Sequence, residues 1–333
     1  MVQTHVLHRM SRWVLPLGIV LILFFSYKNS TFHRMGAGIA VVCGIFFSLV
    51  FGNPYLESTK KIASKLLMWS VVGLGFGMNL LVVAKVGAHG IGYTVVGIAL
   101  CTGLGLFLGY WLKNQRDTSV LITLGTAICG GSAIAAIAPT IKAKHHEISV
   151  ALAIVFLLNA VSLFIFPFIG HLLGLSQDQF GLWSALAIHD TSSVVGATMQ
   201  YGPQALNVGT TVKLARALWI VPVTLIVGLV YARTVFKQDH LESQEKMKKP
   251  WFILGFLAAA ALVTWVPSLK PTGFFIRDIS EQALIVTLYC IGANLSRAAI
   301  KQVGVKPFVQ GFFLWASMAS LTLAAIYFKI IAL

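Results

Sequence analysis

Apolar runs of about twenty residues, the length a helix needs to cross a bilayer, recur along this whole chain with short polar connections between them. They fall at 13–27, 34–51, 62–83, 90–112, 118–140, 148–169, 181–200, 207–232, 251–267, 279–296 and 307–328, roughly eleven spans. A 333-residue chain that is 57% hydrophobic and 11% charged, with mean hydropathy +0.84, would leave far too much apolar surface in water as a soluble globule. The expectation is an all-α polytopic membrane protein, a single transmembrane domain over 1–333 embedded in the lipid bilayer.

The net charge of +15 does not point to nucleic acid, because Lys and Arg cluster at span ends with no aromatic-interleaved stripe. With the N-terminus inside, Arg9, Arg12, Lys60, Lys61, Lys65, Lys113, Arg116 and the basic connection 234–250 are cytoplasmic, as the positive-inside rule requires. Lys142, Lys144, His145 and His146 dissent. They land outside in this scheme, so either the stretch 118–140 is broken and does not cross simply or one of the spans is misplaced. No small-residue cleavage site follows the first run, which reads as a retained span. Cys43, Cys101, Cys129 and Cys290 form no CxxC or Cys/His pattern, so neither a disulfide frame nor a metal site is expected, and no cofactor motif is present.

Three of the runs are interrupted by glycine or polar residues, two of them in a related pattern. The first reads Ala127-Ile128-Cys129-Gly130-Gly131-Ser132, with Ser132 able to cap a second half-helix. The second reads Ala187-Ile188-His189-Asp190-Thr191-Ser192-Ser193 and aligns with the first at a constant offset of 60 residues. Asp190 is the one acidic side chain of the ten that falls mid-span, the others lying in or beside connections, and a carboxylate at that depth costs at least a few kcal/mol and so marks a transport or proton-handling site. Interrupted helices at membrane depth are tolerated where their freed backbone groups meet protein or a wet cavity. Half-helix N-termini there attract anions through free N–H groups and the helix dipole. Related halves that each contribute one interrupted helix fit the plan of a secondary transporter.

Lys213 and Arg216 lie on one face of the following helix. They either face the site, pairing with Asp190, or snorkel to the interface. His189 is a proton carrier beside Asp190 or a satisfied structural histidine. Asn79 and Asn294 sit at the ends of glycine-bearing spans as ligands or caps, and Asn159 reads as an interhelical contact. The expected substrate set is therefore Cys129, Gly130, Gly131, Ser132, Thr191, Ser192, Ser193, Lys213, Arg216, Asn79 and Asn294, with His189 and Asp190 coupling to H⁺ or Na⁺. Two rivals stand beside a carrier: a passive anion channel, and an intramembrane hydrolase using Ser132 or Ser192 with His189 and Asp190. The latter is disfavoured because adjacent residues project about 100° apart on a helix.

Thr126 to Ala136, Ser184 to Val195 and Val212-Lys213-Leu214-Ala215-Arg216 resemble motifs of the bacterial YeiH-type inner-membrane proteins, for which sulfate export has been proposed. The resemblance covers nearly the whole chain. It implies inverted repeats with two crossing interrupted helices, similar to sodium/proton antiporters and bile-acid symporters. It also implies export of a small anion such as sulfate or a sulfonate across the bacterial inner membrane. Asp190 stands where that family usually has a glutamate, and Thr191-Ser192-Ser193 replaces a more apolar, Gln-containing run. Assembly as a homo-oligomer is left open.

Overall fold

The computed structural model describes residues 30–234, 251–294 and 303–331, together with Gly18. The rest of the expected first span 13–27 and the connection from 235 to 250 lie outside the described residues. Regular structure among the described residues is helical throughout: α1 Ser30–Phe51, α2 Leu56–Gly75, α3 Leu80–Trp111, α4 Arg116–Ala127, α5 Gly131–Thr140, α6 His145–Leu172, α7 Gln177–Ala187, α8 Thr191–Tyr201, α9 Pro203–Ala217, α10 Ile220–Thr234, α11 Trp251–Trp265, a 3₁₀ turn Pro267–Leu269, α12 Lys270–Ala293 and α13 Val305–Tyr327. Large apolar side chains such as Phe107, Trp111 and Phe168 point outward, as a lipid-facing surface requires.

The interrupted runs do not cross. Each arm is 10 to 12 residues, about 15–18 Å at 1.5 Å per residue, half of a hydrocarbon core about 30 Å thick. In the first run the two outer ends come together on α10: Tyr231 Oη donates to Asp117 Oδ1 at 2.9 Å, and a Cβ on Gly228 would sit 3.0 Å from the Thr140 methyl. Ile134 of α5 folds back over Gly125 of α4, and the His146 ring reaches Gln115 at 3.4 Å. In the second run the Phe180 and Tyr201 rings stack with centroids 3.8 Å apart. Gln177 Oε1 accepts from the Gln204 and Ala205 amides, and Gln204 Nε2 donates to Asp178. Both runs are re-entrant hairpins, which corrects the expectation of two crossing interrupted helices of the antiporter or bile-acid symporter kind.

This geometry resolves the dissent of Lys142 to His146, because a hairpin returns them to the side of Arg116. The long apolar α6, itself long enough to cross a membrane, joins the two hairpins. The order hairpin then span occurs twice: α4, α5, α6, and α7, α8, followed by α9 and α10.

By length and apolarity, 92–111, 146–172, 203–231 and 305–327 each suffice to cross a membrane, and 252–265 with 267–293 form a further pair bent by 110°. Among the described residues these four or five are fewer than the ten expected there, the run 13–27, Gly18 apart, lying outside them. The hairpin arms are too short, and α2 carries Glu57, Lys60, Lys61 and Lys65. The expected span 62–83 also ends early, at Gly75, because Asn79 starts a new helix.

The helices pack in two groups. One contains α1, α2, α11 and α12; the other holds both hairpins with α3, α6, α9, α10 and α13.

Candidate functional site: the meeting of two hairpin tips

The tips are Ile128-Cys129-Gly130 and Ile188-His189-Asp190, and they touch. Gly130 has φ +65° and ψ −124°, a conformation that disfavours L side chains. A Cβ there would lie 3.2 Å from Asp190 Cβ and 3.1 Å from Val155. Glycine at this position thus serves both the turn and the close approach of the second hairpin.

Each tip ends one helix and starts another, leaving free carbonyls on one side and free amides on the other. Lys213 and Arg216 of α9 serve the carbonyls. Lys213 Nζ donates to Ile188 O at 2.6 Å, Ile128 O at 3.3 Å and Ala185 O at 3.4 Å. Arg216 Nε donates to Ala127 O at 2.8 Å, and its other nitrogens reach Leu186 O, Ala127 O, Ala185 O and Thr126 O. Both cations are 0–2% exposed and bind the ends of α4 and α7 together. They neither snorkel nor pair with Asp190, and among the described residues no ion pair joins them to it. They take backbone carbonyls where pairing with Asp190 or snorkelling is the expectation. Backbone carbonyls at the negative ends of two helix dipoles outcompete a more distant carboxylate.

The amide sides differ. Asp190 caps α8, its Oδ1 accepting from the Ser193 amide at 2.7 Å and its Oδ2 from the Ser192 hydroxyl at 2.9 Å. Gly130 occupies the same position before α5 and has no side chain to cap it, while the neighbouring Cys129 thiol lies against the Ala133 amide of the first turn. Ser132 is exposed, Gly131, Asp190 and Thr191 are half-buried, and Cys129, Ser192 and Ser193 are buried. Leu152 and Phe156 of α6 flank Gly131.

His189 is buried and held by Asn159 of α6, whose Oδ1 accepts from its backbone amide at 3.2 Å and from its ring Nδ1 at 3.1 Å. Asn159 therefore makes an interhelical contact, one that fixes the second tip. The His189 ring makes no hydrogen bond to Asp190, Ser192 or Ser132, so the nucleophile, base and orienter of a hydrolase are not in order. Asn79 and Asn294 are not brought to the tips. Asn79 caps α3 by accepting from the Leu81 amide at 2.8 Å, while Asn294 ends α12, bonded to Thr59 and Asn53. The carbonyl oxygens of Ala127, Ile128, Leu186 and Ile188 are site groups that no residue type announces.

A family model described as Conserved hypothetical protein 698 matches residues 9–311. A UPF0324 membrane protein of Bdellovibrio bacteriovorus is 59% identical over 307 residues, covering 92% of this chain and 91% of the relative. UPF0324 membrane proteins of Geobacter sulfurreducens and Bacteroides thetaiotaomicron are 47% and 45% identical over 292 residues, covering 88% and 87% of this chain and 91% and 86% of the relatives. No solved structure matches the chain.

Proposed function

This chain belongs to the Conserved hypothetical protein 698 family, the UPF0324 or YeiH-type membrane proteins, and we propose that it is a secondary active transporter of a small anion such as sulfate or a sulfonate, coupled to H⁺ or Na⁺. Export across the bacterial inner membrane is the direction that the family resemblance implies. The repeated hairpin-and-span unit, inserted from opposite faces, is an inverted repeat with its site at the meeting of the tips.

The observation that carries this reading is the asymmetry between two equivalent caps. Asp190 places a carboxylate on the amides of α8, whereas Gly130 gives the corresponding start of α5 no charged cap and only the neutral Cys129 thiol lies against its Ala133 amide. A solute anion takes that second position, held by backbone N–H groups. Lys213 and Arg216 act at one remove, offsetting the negative ends of α4 and α7 that would otherwise repel it.

The anion would then sit beside Asp190. Two like charges at that distance disfavour each other, and a proton or Na⁺ on the carboxylate removes the repulsion. Binding of anion and coupling ion is thereby linked. The protein acts here as a carrier and not an enzyme.

Uptake of labelled sulfate into proteoliposomes by exchange tests the reading. Saturable exchange that is lost when Gly130 is substituted and loses its dependence on pH or Na⁺ in Asp190→Asn supports it. Unitary conductance steps in a planar bilayer would instead establish a channel.

A further inference from the structure

Buried hydrogen bonds tie the hairpin-bearing group into one body. Lys213 and Arg216 join α9 to both tips. Gln310 Nε2 of α13 donates to Gly105 O of α3 at 3.0 Å and to Ser119 Oγ of α4 at 2.8 Å. Trp183 Nε1 of α7 donates to Ala319 O of α13 at 2.9 Å. Buried polar networks of this kind rigidify what they connect.

The group α1, α2, α11 and α12 is a second body, closed by backbone contact at glycines. A Cβ on Gly44 would come 2.2 Å from Tyr289 O, and one on Gly75 would come 2.4 Å from Phe256 O. Asn53, Thr59 and Asn294 lock its end, with Asn53 Nδ2 donating to Thr59 Oγ1 at 2.9 Å and to Ala293 O at 3.0 Å.

Between the bodies lies α8, packed on α1 and α12. Its hydrogen-bonding side chains turn back into the hairpin body: Thr198 donates to Val194 O, Gln200 to Leu163 O and Gly196 O, and Tyr201 to Leu175 O. Toward α12 it presents Gly196, whose Cβ would meet Leu288 at 3.0 Å. Across this face the described residues show no hydrogen bond from an α8 side chain to α1 or α12. At the far end of α3, the Leu80 amide donates to Thr264 Oγ1 of α11 at 2.8 Å.

We propose that the hairpin body moves as a unit against the four-helix body, with α8 as the sliding face and the Leu80–Thr264 contact as a pivot. The touching tips then travel together and open first to one side of the membrane and then to the other. An apolar face without directional bonds allows one packed element to ratchet past another, whereas the bonded tips do not part. The inference rests on the transport reading and adds the moving parts to it.

Distances between spin labels, introduced as unnatural amino acids into the full chain in liposomes, test the proposal. One pair spans the bodies, at Ser268 and Gln204; a second lies within the hairpin body, at Gln115 and Gln204. The expected result is two populations for the first pair, separated by about one helical turn or about 5 Å, whose ratio shifts between low and neutral pH or on adding sulfate, with a single unshifted population for the second. A first pair as single and invariant as the second overturns the proposal, whether or not sulfate exchange occurs. Moving bodies without anion exchange would count against the transport reading and leave the two-body motion standing.

Discussion

Phe180 and Tyr201 lie face to face at 3.8 Å and 10° between planes, one at the start of α7 and the other at the end of α8. This stack closes the open end of the second hairpin, and α6 admits it only because Gly170 is small: a Cβ there would lie 2.6 Å from Phe180. Tyr201 Oη also donates to Leu175 O at 2.6 Å. Tyr201→Phe keeps the stack and should cost about 1 kcal/mol. Tyr201→Ala should cost several times that, read as denaturant unfolding in detergent.

Gly130→Ala forces a side chain into a backbone region that costs about 1–3 kcal/mol and pushes it toward Asp190. Gly131→Ala meets the Phe156 ring at 3.3 Å, which can turn aside, and Leu152 at an ordinary 3.5 Å contact. The first variant should lower thermal stability and abolish anion exchange. The second should unfold close to the parent.

Arg216→Met leaves buried carbonyls at the ends of both α4 and α7 without donors, at about 1–3 kcal/mol for each. Arg216→Lys should rescue little, because an ammonium lacks the planar fork that reaches Ala127 O and Leu186 O together. Size-exclusion profiles and melting curves of the two variants check this. Recovery to parental stability in Arg216→Lys would show that one charge suffices.

Asp190→Asn retains a side-chain oxygen for the Ser193 amide, and asparagine caps as well as aspartate, so stability should change by less than about 1 kcal/mol. Its anion exchange should lose the dependence on pH or Na⁺ that the parent shows. Asp190→Ala should cost about 1 kcal/mol more through the lost cap.

The two interruptions that meet as tips were legible in the residues. The Gly-Gly and Asp-Thr-Ser-Ser interruptions, their common offset and the acid placed mid-span pointed to the two tips, and the misplaced Lys142 to His146 cluster signalled that either 118–140 does not cross simply or a span is misplaced. The fold-back itself was not legible, because two arms of 10 to 12 residues add up to one span whether straight or folded. The partners of Lys213 and Arg216 were not legible, because they are carbonyl oxygens, which sequence does not display. Asn79 and Asn294 shared glycine-rich surroundings with the tips, yet they cap helices elsewhere.

Labelling of single cysteines by a membrane-impermeant maleimide from each side of the bilayer tests the paired hairpins most directly. Gln115 and Lys142 flank the first hairpin, and Ser176 and Gln204 flank the second. Two re-entrant hairpins predict that Gln115→Cys and Lys142→Cys react from one side, and that Ser176→Cys and Gln204→Cys react from the other. Labelling of Gln115→Cys and Lys142→Cys from opposite sides would contradict the account, because the first interrupted run would then cross the membrane.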